Sequence, residues 1–195
     1  KKLLAGEVAI DFLAGPTELV IVAQDGNPAW LAADLLAQAE HDPQAAAILV
    51  TPARALARAV AGRVPARWKN CTAIVTAGVE QALELANRIA PEHLSLADRR
   101  WVRRVRSAGS VFLGPFSPEA AGDYASGPNH VLPTLGAARF RGGLSVLDFV
   151  KIITVQELTA SGLRALAPAV AALARAEGLE NHARSVEIRF EGGRP

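Results

Sequence analysis

The chain has 195 residues, of which 50% are hydrophobic and 21% are charged, and its formal net charge is only +2. This composition is typical of a globular protein with one ordinary domain and a small addition. No run of about 18 apolar residues, the length of a membrane span, occurs in it. The single cysteine, Cys71, excludes an internal disulfide framework and a cysteine-based zinc site, and a cytoplasmic protein is expected.

The first residues of the chain have the pattern of a segment from inside a longer protein. The sequence contains no methionine, and Lys1–Gly6 has the pattern of a helix end with a glycine stop. We therefore expect the chain to be a fragment of a longer protein.

Residues 1–113 alternate between short apolar runs and segments with helical periodicity. The strands predicted in this part are Glu7–Asp11, Leu19–Ala23, Ala47–Thr51, Thr72–Val75 and Ser110–Leu113. The helices predicted between them run from Pro28 to about His41, from Pro52 to about Gly62 and from Val79 to Ile89, with an arginine-rich helix after a loop at Pro91–His93. This alternation predicts an α/β fold, in which βαβ units build a mainly parallel sheet flanked by helices.

The regular alternation stops between Gly114 and Gly143. This segment is rich in glycine and proline, and its potentially reactive side chains are Glu119, Asp123, Tyr124, Asn129 and His130. A structureless segment of about thirty residues is rare in a compact domain unless it is functional. The sequence therefore favours a site-forming segment, with a disordered surface loop as the alternative.

The last part of the chain is predicted to be mainly helical. A short helix at Ser145–Phe149 and a strand at Ile152–Val155 precede two helices, from about Thr159 to Glu177 and from Leu179 to about Arg189. These two helices indicate a small C-terminal appendage.

Five arginines form a local basic cluster: Arg99, Arg100, Arg103, Arg104 and Arg106. Such a cluster can contact a phosphate backbone. Trp101 is its only aromatic residue, and no glycine-rich loop adjoins it. A solvated helix face or a protein interface is therefore favoured over nucleic-acid binding.

Each of the four histidines directly follows an acid or an amide: His41, His93, His130 and His182. Gln38 and His41 are three residues apart on a predicted helix and share one face. Together they could offer an amide oxygen and an imidazole nitrogen to a metal, with Asp123 and His182 completing the set. Glutamine is an unusual zinc ligand, so spacing alone is a weak signal.

Glu92 and His93 are an adjacent carboxyl group and imidazole. Both groups can titrate near neutral pH in a suitable environment, which indicates a proton-transfer pair. The alternative is an exposed dipeptide without a function.

Taken in order, several segments resemble one known family, histidinol dehydrogenase. The likeness spans nearly the whole chain, and its segments are 14–18 (AGPTE), 34–41 (DLLAQAEH), 87–94 (NRIAPEHL), 122–134 (GDYASGPNHVLPT), 143–149 (GLSVLDF) and 177–182 (EGLENH). The block Gln38–His41 and the run Gly122–Thr134 are each specific to the family.

The resemblance implies an enzyme that uses zinc and NAD to oxidise L-histidinol through the aldehyde to L-histidine. It implies that the zinc ligands are Gln38, His41, Asp123 and His182, the last from the other subunit of a homodimer. It assigns His93 as the base for the alcohol proton and Glu92 as the base that activates water. Substrate contacts are implied for Thr17, His130 and Glu177, with Glu177 also crossing the interface, and for His93 and the zinc ligands.

The resemblance also implies a domain organisation for the chain. Residues 1–25 would be the end of a cofactor-side domain and the crossover into the next domain. Residues 26–150 would form an incomplete Rossmann-like domain that binds zinc and substrate. Residues 151–195 would form a helical appendage used for dimerisation. Family members are about twice as long, and the half that precedes Lys1 would carry most contacts to NAD. No GxGxxG loop between a strand and a helix occurs in this sequence.

Two other functions stay open from the sequence. One is a binding module that keeps the zinc and imidazole site without the redox reaction, and the other is a structural or nucleic-acid-binding role for the arginine cluster. The adjacent pair of bases disfavours the first, and the complete set of implied zinc ligands disfavours the second. No nucleic-acid or membrane partner is expected.

Overall fold

A computed structural model describes residues 1–191 of the chain. They divide into two compact units, Lys1–Val150 and the residues from Lys151 onward. The roles assigned above to 1–25, 26–150 and 151–195 stay predictions. No helix within 1–191 is both long enough and apolar enough to cross a membrane.

The first unit is built around a five-stranded parallel sheet. Its strands are β1 (Glu18–Val22), β2 (Ala46–Thr51), β3 (Cys71–Val75), β4 (His93–Leu96) and β5 (Ser110–Leu113). They lie in the order β3-β2-β1-β4-β5, so β1 is central and the chain crosses over it to reach β4. This confirms the predicted α/β fold with a Rossmann-like parallel sheet.

Four helices belong to this unit: α1 (Pro28–Glu40), α2 (Arg54–Ala61), α3 (Val79–Ile89) and α4 (Glu119–Tyr124). The start of α1 is set by Asn27, whose Oδ1 accepts a hydrogen bond from the N–H of Ala29 at 2.9 Å, and by Pro28 in the first turn. The end of α3 is set by Ala90 in a left-handed conformation (φ 56°), followed by Pro91. That stop places Glu92 and His93 at the start of β4.

The alternation of side chains along the strands makes two apolar cores. Leu19 and Ile21 pack with Leu35 of α1 on one face of the sheet, and Val20 packs with Leu94 on the face that α3 covers. These side chains are at most 2% exposed, and each fully buried one contributes about 1.5–3 kcal/mol. Because neighbouring residues of a strand point to opposite faces, His93 lies on the face opposite to that of Leu94.

Several predicted elements were wrong. Glu7–Asp11 and Ile152–Val155 are not strands, and neither segment pairs with any strand within 1–191. Conversely, β4 was predicted as a loop, because its sequence, His-Leu-Ser-Leu, lacks a continuous apolar run. The supposedly structureless segment contains α4 and a 3-10 helix at Ala137–Arg139.

The arginine cluster forms a 3-10 helix over Arg99–Arg104 and the residues after it. Arg100 pairs with Asp98, and two arginines pair with acids of α3: Arg104 with Glu80, and Arg106 with Glu84 at 2.5 Å. Three of the five positive charges are therefore balanced by neighbouring carboxylates, which favours a solvated protein surface.

The second unit is a helical hairpin of α5 (Ala160–Ala176) and α6 (Glu180–Glu187), followed by a 3-10 helix at Ile188–Phe190. Its small core consists of Ala171, Ala174 and Ala183. Arg175 pairs with Glu180 at 2.8 Å and with Glu187 at 2.9 Å, joining the two helices. The predicted C-terminal helical appendage is confirmed.

Candidate functional site

The candidate site lies at the amino ends of the neighbouring strands β1 and β4. Thr17 directly precedes β1, and Glu92 directly precedes β4, whose first residue is His93. Leu19 of β1 is the register partner of His93. Ligands of open α/β sheets usually bind at the carboxyl ends of the strands, so this placement is unusual for the fold.

Thr17 connects α1 to the acid–imidazole pair. The Gln38 amide, 1% exposed, donates from Nε2 to Thr17 Oγ1 at 2.8 Å. The Thr17 hydroxyl in turn hydrogen-bonds to the Glu92 carboxyl group. This arrangement fixes the Gln38 amide nitrogen on Thr17 and leaves its Oε1 oxygen available for a cation.

Glu92 is a buried acid with little hydrogen-bond support. Its side chain is 8% exposed and its Oε2 has no hydrogen-bond partner within 1–191. The pKa of Glu92 is raised from 4.5 to about 7, mainly by burial, which the Thr17 hydroxyl opposes and to which the charges of Glu18 and Asp123 add a smaller contribution. A carboxyl group with this pKa can gain and lose a proton at neutral pH.

His93 is a buried imidazole aimed at Asp123. It is 4% exposed, its Nε2 lies 3.4 Å from Asp123 Oδ1, and its Nδ1 has no hydrogen-bond partner within 1–191. Burial lowers the pKa of His93 below 6.5, the nearby His41 lowers it further, and Asp123 opposes the shift. The imidazole is therefore neutral at physiological pH and able to accept a proton.

The position of Asp123 depends on a close approach of α4 to β5. A Cβ atom at Gly122 would lie 2.6 Å from the ring of Phe112, so only glycine permits this contact. The Phe112 ring also packs against the His93 ring, with 5.8 Å between centroids. Phe112 therefore contacts both the His93 imidazole and α4, the helix that carries Asp123.

The segment between Gly114 and Gly143 is held by hydrogen bonds to the rest of the unit. Gly15 donates from its N–H to Thr134 Oγ1 at 2.8 Å, and the Asn129 amide donates to the Leu144 carbonyl at 2.8 Å. These contacts argue against the disordered-loop alternative. His130, next to Asn129, has an exposed side chain.

The structure brings together five of the predicted residues and leaves others at the surface. The residues brought together at the amino ends of β1 and β4 are Thr17, Gln38, Glu92, His93 and Asp123, with His41 at the exposed end of α1. Glu177 and His182 have exposed side chains in the second unit.

Two acids near the site received no role from the sequence. Glu119 was noted only as a polar residue in the irregular segment, and Asp34 only as part of a matching block. Glu119 is only 4% exposed, and Asp34 is partly buried. Helical spacing links Asp34 to Gln38 and Glu119 to Asp123, but nothing in the sequence places the two helices side by side.

The side chains of the first unit could supply some, but not all, of the ligands of a metal ion. Within 1–191, no group of three or more His, Cys, Asp or Glu side chains is placed to hold a metal ion. Of those residue types, the implied set supplies only His41 and Asp123 from this unit. The Oε1 of Gln38 would be a third donor, since the hydrogen bond to Thr17 uses only Nε2, and Glu92 and His93 add buried polar atoms that have no hydrogen-bond partner within 1–191. A fourth ligand would have to come from elsewhere.

Comparisons with known proteins agree on one family. The sequence model of histidinol dehydrogenase matches residues 1–190. A histidinol dehydrogenase of Synechococcus sp. is 50% identical over 97% of this chain, and one of Ruegeria pomeroyi is 46% identical over 98%. The crystal structure of histidinol dehydrogenase from Elizabethkingia anophelis superposes with a TM-score of 0.88 at 38% identity, over 98% of this chain. The chain spans about half of each relative, 48% of its length.

Proposed function

The chain belongs to the histidinol dehydrogenase family, and from this premise we propose that the protein containing it oxidises L-histidinol to L-histidine in two steps, with NAD as the hydride acceptor. The observation that carries the proposal is the buried pair of Glu92 and His93, one acid with a pKa near 7 beside one neutral imidazole. Two oxidations of one carbon need two bases, and the pair supplies them.

In the first oxidation, His93 removes the proton from the hydroxyl oxygen of the substrate, and the carbon that bears this hydroxyl group loses its hydride, for which NAD would be the acceptor. A neutral imidazole is suited to this step, and burial keeps His93 neutral. Asp123, 3.4 Å from Nε2, stabilises the imidazolium that forms. The Phe112 ring packs against this imidazole.

In the second oxidation, the aldehyde must first take up water. Glu92 in its ionised form accepts a proton from the attacking water, and the hydrate then loses its hydride. The hydrogen bond from Thr17 favours the ionised carboxylate, while burial opposes it, which keeps the pKa of Glu92 near neutral pH. Glu92 can therefore serve as base and release the proton within one turnover.

Zinc, when bound, would orient the nitrogen atoms of the substrate beside the bases, and NAD, when bound, would accept the hydride. Gln38, His41 and Asp123 would hold the zinc, with His182 of the partner subunit as the fourth ligand in a homodimer. Thr17, His130 and the partner's Glu177 would contact the substrate. The placement of Gln38 by Thr17, with Oε1 unengaged, supports the part given to that residue.

A binding module without redox chemistry is the second candidate. The same proposed metal ligands would serve it. A module that only binds has no need of two buried bases beside each other, and the cost of burying Glu92 without full hydrogen bonding argues against it.

The first prediction concerns turnover by the intact protein. With zinc and NAD it should reduce NAD when L-histidinol is added, and His93→Ala should lower kcat by about 10²–10⁴-fold, the usual contribution of a positioned base. Zinc content should stay unchanged, because His93 is not among the proposed ligands. NADH absorbance and metal analysis measure the two effects.

Arg103→Ala in the arginine cluster is the matched control, and its activity should equal that of the wild type. If the zinc-loaded intact protein binds L-histidinol but never reduces NAD, the binding module is correct and the enzyme proposal is wrong.

A further inference from the structure

Glu18 is a carboxyl group that the mechanism above does not use, although it belongs to the matching block 14–18. It is the first residue of β1 and is partly buried. Its Oε2 accepts a hydrogen bond from the backbone N–H of Glu92 at 3.3 Å, across 74 residues of sequence. Glu18 therefore connects the start of β1 to the residue that directly precedes β4.

The backbone of Glu92 is held on both sides. Its N–H donates to Glu18, and its carbonyl accepts a hydrogen bond from the N–H of Ser110 at 2.8 Å. Gly109 lies so close that a Cβ atom there would be 2.6 Å from the same carbonyl oxygen. The Glu92 side chain has only Thr17 as a hydrogen-bond partner, and its Oε2 has none within 1–191. The direction of this side chain therefore depends on its backbone.

The carboxylate of Glu18 also faces the turn at Leu135 and Gly136, whose N–H groups act on it. Both residues have left-handed backbones, with φ of 55° and 71°. A leucine rarely adopts this conformation, which costs about 1–2 kcal/mol and persists only where its surroundings hold it. A Cβ atom at Gly15 would collide with the Leu135 side chain, so the turn packs closely against the residues before β1.

Arg139 connects this turn to the end of α3. Its guanidinium donates from Nη1 to the Gly136 carbonyl at 3.1 Å. From Nη2 it donates to the carbonyls of Arg88 and Ile89, the latter at 3.4 Å. The last carbonyls of a helix have no partner inside the helix, and a positive charge beside them is favourable. Arg139 therefore fixes the helix end that leads directly into the segment 90–92.

We propose that Glu18 and Arg139 are positioning residues that hold the segment 90–92 between α3 and β4, and with it Glu92, from two sides. Glu18 holds the N–H of Glu92 directly, and Arg139 holds the helix end before it. Neither is given a contact with substrate or zinc. The inference rests on the proposed function, because it takes Glu92 as the base that activates water in the second oxidation.

Hydrogen exchange tests the contact itself, without reference to activity. In the intact protein, Glu18→Leu removes the acceptor, whereas Glu18→Gln keeps an acceptor oxygen. We expect the Glu92 amide to exchange with deuterium at least about 10-fold faster in Glu18→Leu, the equivalent of a hydrogen bond to a charged group. Glu18→Gln should exchange nearly as slowly as the wild type. The amides of β2 should keep their rates in both variants, because they report opening of the whole sheet.

Glu84→Leu is the matched control for this measurement. Glu84 forms an exposed ion pair with Arg106 on the outside of α3. The same substitution there should leave exchange of the Glu92 amide unchanged.

The rates of the two oxidations test the consequence for Glu92. With the aldehyde L-histidinal as substrate, Glu18→Leu should lower kcat by about 10–100-fold, because a small displacement of a reacting group costs a factor of this size. The first hydride transfer from L-histidinol should change little, since its base, His93, is held by the pairing of β4 with both neighbouring strands. Glu18→Gln should restore most of the aldehyde oxidation, and zinc content and KM should not change.

Arg139 provides a second pair of variants. Arg139→Met removes all three hydrogen bonds, whereas Arg139→Lys keeps a donor for one carbonyl of α3. We expect Arg139→Met to slow oxidation of the aldehyde selectively and Arg139→Lys to restore part of it. Arg103→Met, the same change at an exposed arginine, should leave both oxidations unchanged.

Two results would overturn the positioning role: exchange of the Glu92 amide in Glu18→Leu that equals the wild type, or a uniform rise that includes β2. Equal loss of both oxidations in Glu18→Leu and Glu18→Gln would also contradict it. A wild type that never oxidises L-histidinol would remove the proposed function, while selectively faster exchange in Glu18→Leu would still support the hold on the segment 90–92.

Discussion

The hydroxyl group of Thr17 forms hydrogen bonds with two neighbouring residues. It accepts a hydrogen bond from Gln38 and donates one to Glu92. A change at this position should therefore alter both the orientation of a proposed zinc ligand and the basicity of a proposed base.

Thr17→Val tests the second of these effects. Losing the hydrogen bond to the carboxylate raises the pKa of Glu92 above its value of about 7. The ascending limb of the pH–activity profile should move to higher pH by about one unit, the equivalent of a hydrogen bond to a charged group. Steady-state rates across the pH range measure the shift.

Thr17→Ser is the matched control, because it keeps the hydroxyl group and loses only a methyl group. Its profile should follow that of the wild type. Equal shifts in both variants would mean that the Thr17 hydroxyl group does not set the basicity of Glu92.

Glu119 should make the stability of the protein depend on pH. Its folded-state pKa of about 7 is above the ordinary value of 4.5, so the folded state binds the proton more tightly than the unfolded state. Its contribution is therefore fully present below about pH 4.5 and is lost as the pH rises to about 7. Between pH 5 and pH 8 the loss should be about 2–3 kcal/mol.

Urea denaturation of the wild type and Glu119→Gln at both pH values isolates this contribution, because the variant does not titrate at this position. The difference between the two proteins should change with pH in favour of the variant. A constant difference would show that Glu119 titrates normally in the folded protein.

At the residue scale, the sequence indicated the chemistry but not the environment. The adjacency of Glu92 and His93 and the spacing of Gln38 and His41 were visible in the sequence, and the family resemblance gave them roles. The burial that shifts the pKa of Glu92 could not be predicted, because it depends on β1, α4 and the segment up to Gly143 packing together.

At the scale of elements, α4 is a short helix whose position matters more than its length. Gly122 allows it to touch Phe112 of β5, and Asp123 follows directly. Gly122→Ala should therefore push α4 away from the sheet, although alanine is the better helix former. We expect a loss of roughly 1–3 kcal/mol in stability, the usual cost of overpacking, and weaker zinc binding.

Gly142→Ala provides the comparison, because a Cβ atom there would meet nothing within 4 Å. Denaturation midpoints and zinc affinities of the two variants measure the difference. Unchanged stability and zinc binding in Gly122→Ala would show that α4 has room to move.

The elements that the sequence predicted correctly are those with a clear apolar pattern of their own. β1 and β2 are apolar runs, and α3 carries a clear helical pattern, so each was predicted from its own residues. β4 has only four residues, two of them polar, and it is a strand because β1 and β5 flank it. α4 has six residues and contains Gly122, so its local preference for helix is weak.

For the whole molecule, the proposed site depends on two copies of the protein. Mixing inactive His41→Ala and His182→Ala subunits should restore activity, because a mixed dimer has one site with both changes and one with neither. Random pairing of equal amounts should recover roughly one quarter of the wild-type activity. NADH formation after unfolding and refolding the mixture measures it. Recovery of no activity would contradict a ligand shared across the interface.

The register of β4 has a consequence for how the protein loses activity on heating. His93 opens a strand hydrogen-bonded on both sides, opposite Leu19 of β1 and Ser110 of β5. Amide groups in such a central strand exchange with deuterium only through the largest and rarest openings of a fold. The imidazole therefore stays in place as long as the sheet does, and heating should not displace this base in a phase that precedes melting of the sheet.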